Sequence, residues 1–446
     1  MTSIKTKQIQ TLLLSGMGKL PGACLGLFSI SEPDKAKAQL SKCVKQFNLF
    51  GLRDHTKDSV AQLAFSASGL AMLGIEATES NGFDRAFCEG MTTEFRQRTL
   101  GDLHENSPEH WGWSDNETHV AIWIYADRGE TAEGQLEATI ASRAISGMEL
   151  LYSLKTDMLP NSREHFGFRD GIANPTLPRE GQADPDSAGS GDFVFGYKNS
   201  LGVTAEGPTV NQQAFGKFGT YLVLRQLRQN VPNFWKQWMN VAGGDPEKAV
   251  WMASKALGRW PNGMPIESND PCPMPELVPS LVKPMNFLGD SKGMKCPFGS
   301  HIRRSNPQDA ALDGVLPKHR IFRRGRVYGP ACESKIYPSG ISMKPNYLGH
   351  NADADRGILF ACLNTDIARQ FEFVQQTWIN NPKFRGLHKE VDPIAGGQVK
   401  GMKTDVFTVP AKPFRYRARP VESHVQVCGG GYFFLPGKEA VNSIFA

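Results

Sequence analysis

The longest apolar runs in this chain have strand length, and they are separated by segments with helical spacing. Thr118–Ala126 (T-H-V-A-I-W-I-Y-A) is the strongest strand of the first 150 residues, and Gly129–Ser142 is the clearest helix after it. Ala23–Ile30 reads as a strand with a glycine at its centre, Asp34–Phe47 as a helix, Gln62–Phe65 as a short strand and Ser66–Leu73 as a helix start. Strands interleaved with helices, with few consecutive hairpins, predict an α+β fold. The second half repeats the pattern. Thr220–Arg225 reads as a strand, Val231–Ala242 and Pro246–Leu257 as helices, Ile358–Leu363 as a strand, Asp366–Asn380 as a long helix and Gly429–Pro436 as an aromatic strand. No fixed-period repeat accompanies this, so any duplication is structural only. The Gly/Pro/Asp/Ser stretch from Arg179 to Ser190 predicts an exposed loop, and six prolines between Trp260 and Lys283 exclude regular structure there.

Several function classes drop out on composition. With 40% hydrophobic residues in 446, the chain can bury one or two full cores, which excludes disorder as its main state. Fifty Lys+Arg against 45 Asp+Glu leave a formal charge of +5, and no basic run is long enough to mark a nucleic-acid footprint. No apolar stretch approaches the ~18 residues that would suggest a membrane span. The N-terminal run Leu12–Leu14 is too short for a signal-peptide core, so a cytoplasmic protein is expected. The eight cysteines (Cys24, Cys43, Cys88, Cys272, Cys296, Cys332, Cys362, Cys428) contain no C-x-x-C, which argues against a zinc ribbon, a redox dithiol or c-type haem attachment. Buried free thiols are the expectation.

Three glycine-flanked segments carry residues suited to chemistry: Gly167-Phe168-Arg169-Asp170-Gly171, Cys296-Pro297-Phe298-Gly299-Ser300-His301-Ile302-Arg303-Arg304 and Ile321-Phe322-Arg323-Arg324-Gly325-Arg326-Val327-Tyr328-Gly329. Each alone has an ordinary reading: Asp-Gly is a favoured turn pair, a lone histidine is usually a satisfied polar group, and arginine runs are usually solvated. Together they form a set. Glycine-flanked loops let the backbone approach a flat ligand. A neutral imidazole can bind iron from one side of a haem, while an Asp and an always-charged Arg on the other supply a proton carrier and a fixed cation.

At these residues the sequence resembles the dye-decolorising peroxidases, haem enzymes with a G-x-x-D-G motif. The resemblance runs nearly end to end. It includes Ile172-Ala173-Asn174-Pro175, Gly191–Tyr197, Gly219–Arg225, the H-I-R-R-S-N-P run from His301 to Pro307, Arg356–Phe360, Arg369–Phe373 and Gly430–Pro436, and it is closest to the longer, cytoplasmic members. It implies a fold of two ferredoxin-like α+β halves with antiparallel sheets, the dimeric α+β barrel type. The first half, 1–205, would carry the G-F-R-D-G motif, and the second, 206–446, the haem ligand. His301 would be the axial ligand of a non-covalent haem b, one per subunit, Asp170 the acid/base residue and Arg323 the arginine beside it, with Arg324 and Arg326 as alternatives.

The implied reaction reduces hydrogen peroxide to water through a ferryl intermediate and oxidises dyes, phenols or similar one-electron donors. An Asp has an unperturbed pKa near 3.9 against about 6.5 for His, so an acidic optimum is expected. Ile358 and Phe360 would form an apolar wall beside the haem, or else be ordinary core residues. Bulky donors would need a surface aromatic relay, for which Tyr328 is the candidate unless it is simply packed. Asp392 could accept the His301 imidazole N–H. A homodimer is expected on base rates alone, and the end of the chain, 440–446, would either pack or dock on a partner. A haem-handling protein with little turnover is the alternative from another class. A metal-dependent hydrolase lacks H-E-x-x-H or any paired-ligand spacing.

Overall fold

A computed structural model describes residues 4–47, 49–53, 58–141, 147–177, 189–267, 276–308, 314–331, 354–397 and 404–445. Most of the loop predicted at Arg179–Ser190 lies outside these residues.

The first half runs β1 (Gly22–Ile30), α1 (Pro33–Gln46), β2 (Val60–Phe65), β3 (Val120–Ala126), α2 (Gly129–Ala141) and β4 (Met148–Asp157). Its strands lie in the order β2-β3-β1-β4, all antiparallel. β3 is apolar and buried along its whole length, as a strand covered on both faces must be. Gly26 at the centre of β1 is needed for packing, since a Cβ there would stand 2.9 Å from the Leu136 side chain of α2.

The second half runs β5 (Thr220–Gln229), α3 (Val231–Val241), α4 (Pro246–Leu257), α5 (His301–Ser305), β6 (Arg326–Tyr328), β7 (Gly357–Asn364) and β8 (Val425–Leu435). Its order, β6-β7-β5-β8, repeats the first: second strand, third, first, fourth. Asn230 and Asp245 cap α3 and α4 through their side chains. Two edge contacts join the halves, β4 with β6 at Thr156 and Tyr328, and β2 with β8 at Phe65 and Phe434. Through these two short contacts the eight strands close on themselves.

Side-chain alternation sorts the core. Leu25, Leu27, Trp123, Leu222, Leu224, Leu359 and Phe433 fill the barrel interior. On the outer face of the first half, Phe28, Ile122 and Ile124 pack beneath Leu40 of α1 and Leu136 of α2.

The sequence predicts one long helix over Asp366–Asn380. The structure has two π-helical pieces there, Ala368–Glu372 and Val374–Ile379. Gln370, within the first piece, donates to the Asp192 and Arg320 carbonyls, and Arg304 donates to the carbonyls of Trp378 and Ile379 at the end of the second. The end of the chain packs: in the helix Lys438–Phe445, Ala440, Val441 and Ile444 are buried. No described helix is long and apolar enough to cross a membrane.

Candidate active site

A cavity of about 570 Å³ lies against the outer face of the second half, within the ~300–1,000 Å³ range of small-molecule and cofactor sites. Arg225 and Leu227 of β5 and Ile358 and Phe360 of β7 form its floor, as alternate residues pointing the same way. Leu257, Phe371, Val374 and Ile394 line it from the covering segments. His301, Asp170 and Arg323, all from loops or loop ends, open onto the same space.

His301 is the first residue of α5, which Ser300 anchors by donating its hydroxyl to the Lys255 carbonyl at 2.5 Å. Its Nδ1 lies 2.9 Å from Oδ2 of fully buried Asp392. The other carboxylate oxygen accepts from the backbone of Ile394 and Ala395 at 2.8 and 2.9 Å. Burial pushes the imidazole down and the carboxyl up, but their mutual attraction outweighs both, leaving His301 raised and Asp392 lowered. An Nδ1–H given to Asp392 leaves Nε2 as the free lone pair of the ring. Arg304 holds this arrangement from behind by donating to the carbonyls of Trp378, Asn381 and Glu390.

Asp170 and Arg323 form an ion pair, Nη1 to Oδ1, at 2.9 Å, and Nη2 donates to the Ala173 carbonyl at 3.2 Å. The Arg323 backbone is fixed separately. Its N–H donates to Asn174 Oδ1 and its carbonyl accepts from Asn174 Nδ2, both at 3.0 Å, so the asparagine side chain pairs with it as a neighbouring strand would. Burial pushes the Asp170 carboxyl up, but the Arg323 guanidinium, the Gly171 N–H and the charge of His301 together hold it below its ordinary value. The Asp170 side chain is 54% exposed and Arg323 34%, because both face the open cavity.

The cavity suits a flat, largely apolar group bound through one nitrogen ligand. The Asp392-backed imidazole offers a nitrogen donor, Leu227, Ile358, Phe360, Phe371, Val374 and Ile394 give aliphatic and aromatic walls, and the Asp170–Arg323 pair opens onto the same space.

No protein-family model matches the chain. It is 28% identical over 479 residues to the dye-decolorizing peroxidase AauDyP1 of Auricularia auricula-judae, covering 99% of this chain and 87% of that protein. Against the dye-decolorizing peroxidase msp1 of Mycetinis scorodonius it is 26% identical over 450 residues, covering 94% and 83%. A solved structure of a dye-decolorizing peroxidase in complex with 2,6-dimethoxyphenol superposes with a TM-score of 0.80 at 24% identity, over 99% of this chain and 100% of that one. Over nearly its whole length the chain is similar to dye-decolorizing peroxidases, in sequence and in fold.

The structure brings Arg323 to Asp170, and neither Arg324 nor Arg326. Arg324 donates Nε to the Leu12 carbonyl at 2.7 Å, and Arg326 donates Nη2 to the Met17 carbonyl at 3.0 Å. Tyr328 differs from the expectation of a surface relay: it is 3% exposed, packed in the barrel interior and off the cavity, so a bulky donor has no direct contact with its ring. Sequence reasoning missed Arg304, Asn174 and Glu164. All three lie within or beside the quoted motifs, yet the Arg304 and Asn174 partners and the Gln229 partner of Glu164 are 65 or more residues away. It also missed the bidentate Arg225–Asp102 pair, which neutralises a buried charge in the cavity floor.

Proposed function

We propose that this chain is a haem peroxidase that reduces hydrogen peroxide at the cavity of His301, Asp170 and Arg323 and oxidises dyes, phenols or similar one-electron donors. The observation that carries this reading is the Asp170–Arg323 pair opening onto the same cavity as an imidazole backed by a buried carboxylate. Haem b bound non-covalently through His301 Nε2 supplies the iron at which peroxide is reduced. Asp170, as carboxylate, takes the proton from one peroxide oxygen and returns it to the oxygen that leaves as water. Arg323 lends a fixed positive charge as the O–O bond breaks, a contribution of ~2–4 kcal/mol. A lysine cannot reproduce it, since two nitrogens of the planar guanidinium serve two different acceptors. Ile358 and Phe360 keep water from the reacting oxygens. The lowered carboxyl of Asp170 supports an acidic optimum, and the free state of the six described cysteines supports a reducing, cytoplasmic setting.

The test is the absorption spectrum of the protein reconstituted with haemin, beside a His301→Ala variant, before and after one equivalent of peroxide. A Soret band that depends on His301 and changes within seconds of peroxide addition supports the reading. Bound haem whose spectrum peroxide leaves unaltered turns the assignment to haem handling, and the lack of any His301-dependent band removes the site.

A further inference from the structure

The chain makes a tight turn just before Asp170, and the turn is held from inside by a carboxylate. Glu164, 8% exposed, accepts from the backbone N–H of Phe166 at 2.9 Å and of Phe168 at 2.8 Å, one on each oxygen. Gln229, at the end of β5, donates its side-chain amide to the same carboxylate at 2.6 Å. The backbone closes around these bonds, with the Glu164 N–H donating to the Phe168 carbonyl and the Gly167 N–H to the Glu164 carbonyl, both at 2.9 Å. Gly167 has φ +98°, a conformation open to glycine and strained for other residues. Phe166 stacks on Phe234 of α3 with ring centres 4.0 Å apart, and Phe168 lies parallel to Trp235 at 6.2 Å. Two residues further on, the Asp170 N–H donates to the Ser162 carbonyl at 2.8 Å, so the turn enters and leaves through a fixed neck.

A buried carboxylate with three donors is in one sense only a satisfied polar group. Its partners set Glu164 apart. Two are backbone groups of the segment that ends in Asp170, the third belongs to the sheet that floors the cavity, and Glu164 itself reaches the cavity wall. The bonds therefore tie the Asp170 loop to the rigid strand β5.

We infer that Glu164, braced by Gln229, is the positioning residue of the site, fixing the Phe166–Asp170 segment and with it the place of the Asp170 carboxylate beside Arg323. The inference rests on the peroxidase reading above for the use to which Asp170 is put, but the clamp is a property of the chain alone. A residue that acts through Asp170 has no further effect once Asp170 is disabled.

The experiment is a double-mutant cycle on the haem-loaded, full-length protein, with the rate of reaction with hydrogen peroxide followed by stopped-flow absorbance. Glu164→Leu leaves the Phe166 and Phe168 N–H groups without an acceptor and is expected to lower the rate at least tenfold. In a D170N background the same change should cost less than twofold. Glu164→Gln keeps one of the two acceptor oxygens and should recover part of the loss. Hydrogen exchange on the same proteins gives a readout independent of activity: the Phe166 and Phe168 amides should both exchange slowly in the native chain and fast in Glu164→Leu, with one of the two still protected in Glu164→Gln. An equal loss of rate in both backgrounds overturns the inference, as do amides that stay equally protected in Glu164→Leu. Should that variant fail to fold, Gln229→Leu removes one donor and leaves both backbone bonds. It should give a smaller loss that also vanishes in D170N, and a loss that persists there overturns the inference. A native protein inert to peroxide counts against the peroxidase reading, and the exchange data still decide the clamp.

Discussion

The two halves of the barrel share one strand order and differ in what lies over the outer face. In the first half α1 and α2 sit directly on the sheet, and β1, β2 and β3 are buried almost without a break. In the second half the matching face, Arg225, Leu227, Ile358 and Phe360, looks onto the cavity, and Phe371 and Val374 of the π-helical segment stand on the far side of it. One architecture thus yields a core where the helices close on the sheet and a site where they do not. The residues that hold the second half open are polar and interlocked: Arg304 on the Asp392 side, Glu164 and Asn174 on the Asp170 side. If this division is right, substitutions around the cavity change chemistry with little effect on stability, and substitutions in the first half do the reverse.

The largest effect should come from Asp170→Asn. It keeps the shape and removes the proton carrier, so the peroxide reaction of the haem-loaded protein should slow by ~10²–10⁴-fold, while the haem spectrum and the unfolding midpoint stay close to native. A drop of less than tenfold would mean that another group moves the proton. Next comes Arg323→Leu. The native Asp170 carboxyl is held below its ordinary value, so its carboxylate persists into acid, and the rate should fall only as pH drops through that lowered value. Without the guanidinium the carboxyl rises, and the acid limb of the rate–pH profile should move to higher pH. The stability that the ion pair contributes has the same sign, present at neutral pH and lost as Asp170 is protonated. An acid limb that stays in place would detach the profile from Asp170.

Asp392→Asn acts on the other side of the site and should be milder. Losing the buried carboxylate behind His301 weakens the imidazole as a ligand, with ~10–100-fold weaker haem retention and a more positive iron reduction potential by spectroelectrochemical titration. An unchanged potential would make Asp392 a packing residue only.

How far these features were legible in the sequence follows the same division. The strands of the first half announce themselves because both faces are apolar, with β4 as the exception. Met148–Asp157 exposes Leu150 and Leu151 and buries Met148, Leu154 and Thr156, so its pattern matches neither an alternating nor a buried strand. It is held in place by pairing with β1 and β6, which no local signal reports. Around the cavity the residue types of the site are local, with Asp170 in a G-F-R-D-G turn and His301 opening a short helix. Which arginine of Arg323-Arg324-Gly325-Arg326 meets Asp170 is not local. It is fixed by the pairing of Arg323 with Cys362 on β7, which sends the next side chain to the opposite face. The Glu164–Gln229 bond and those of Arg304 run across long stretches of chain, and only the fold brings these partners within reach.

The smallest effect on chemistry, and the sharpest contrast, is expected from a matched pair in the two outer faces. Leu136 of α2 is 1% exposed and sits against Gly26 of β1, so Leu136→Ala leaves a cavity in a closed core and should cost ~2–5 kcal/mol in denaturant unfolding. The folded, haem-loaded fraction should react with peroxide at the native rate, because nothing in the site touches Leu136. Phe360 occupies the corresponding face of the second half with its ring half-open to the cavity, so in the haem-free protein Phe360→Ala removes contacts that are already incomplete and should cost less. Its consequence should surface only with haem bound, as faster haem loss to a scavenging apoprotein. Equal stability costs for the two variants in the haem-free state would show that the second half is packed as tightly as the first, and that the cavity owes its shape to the loops alone.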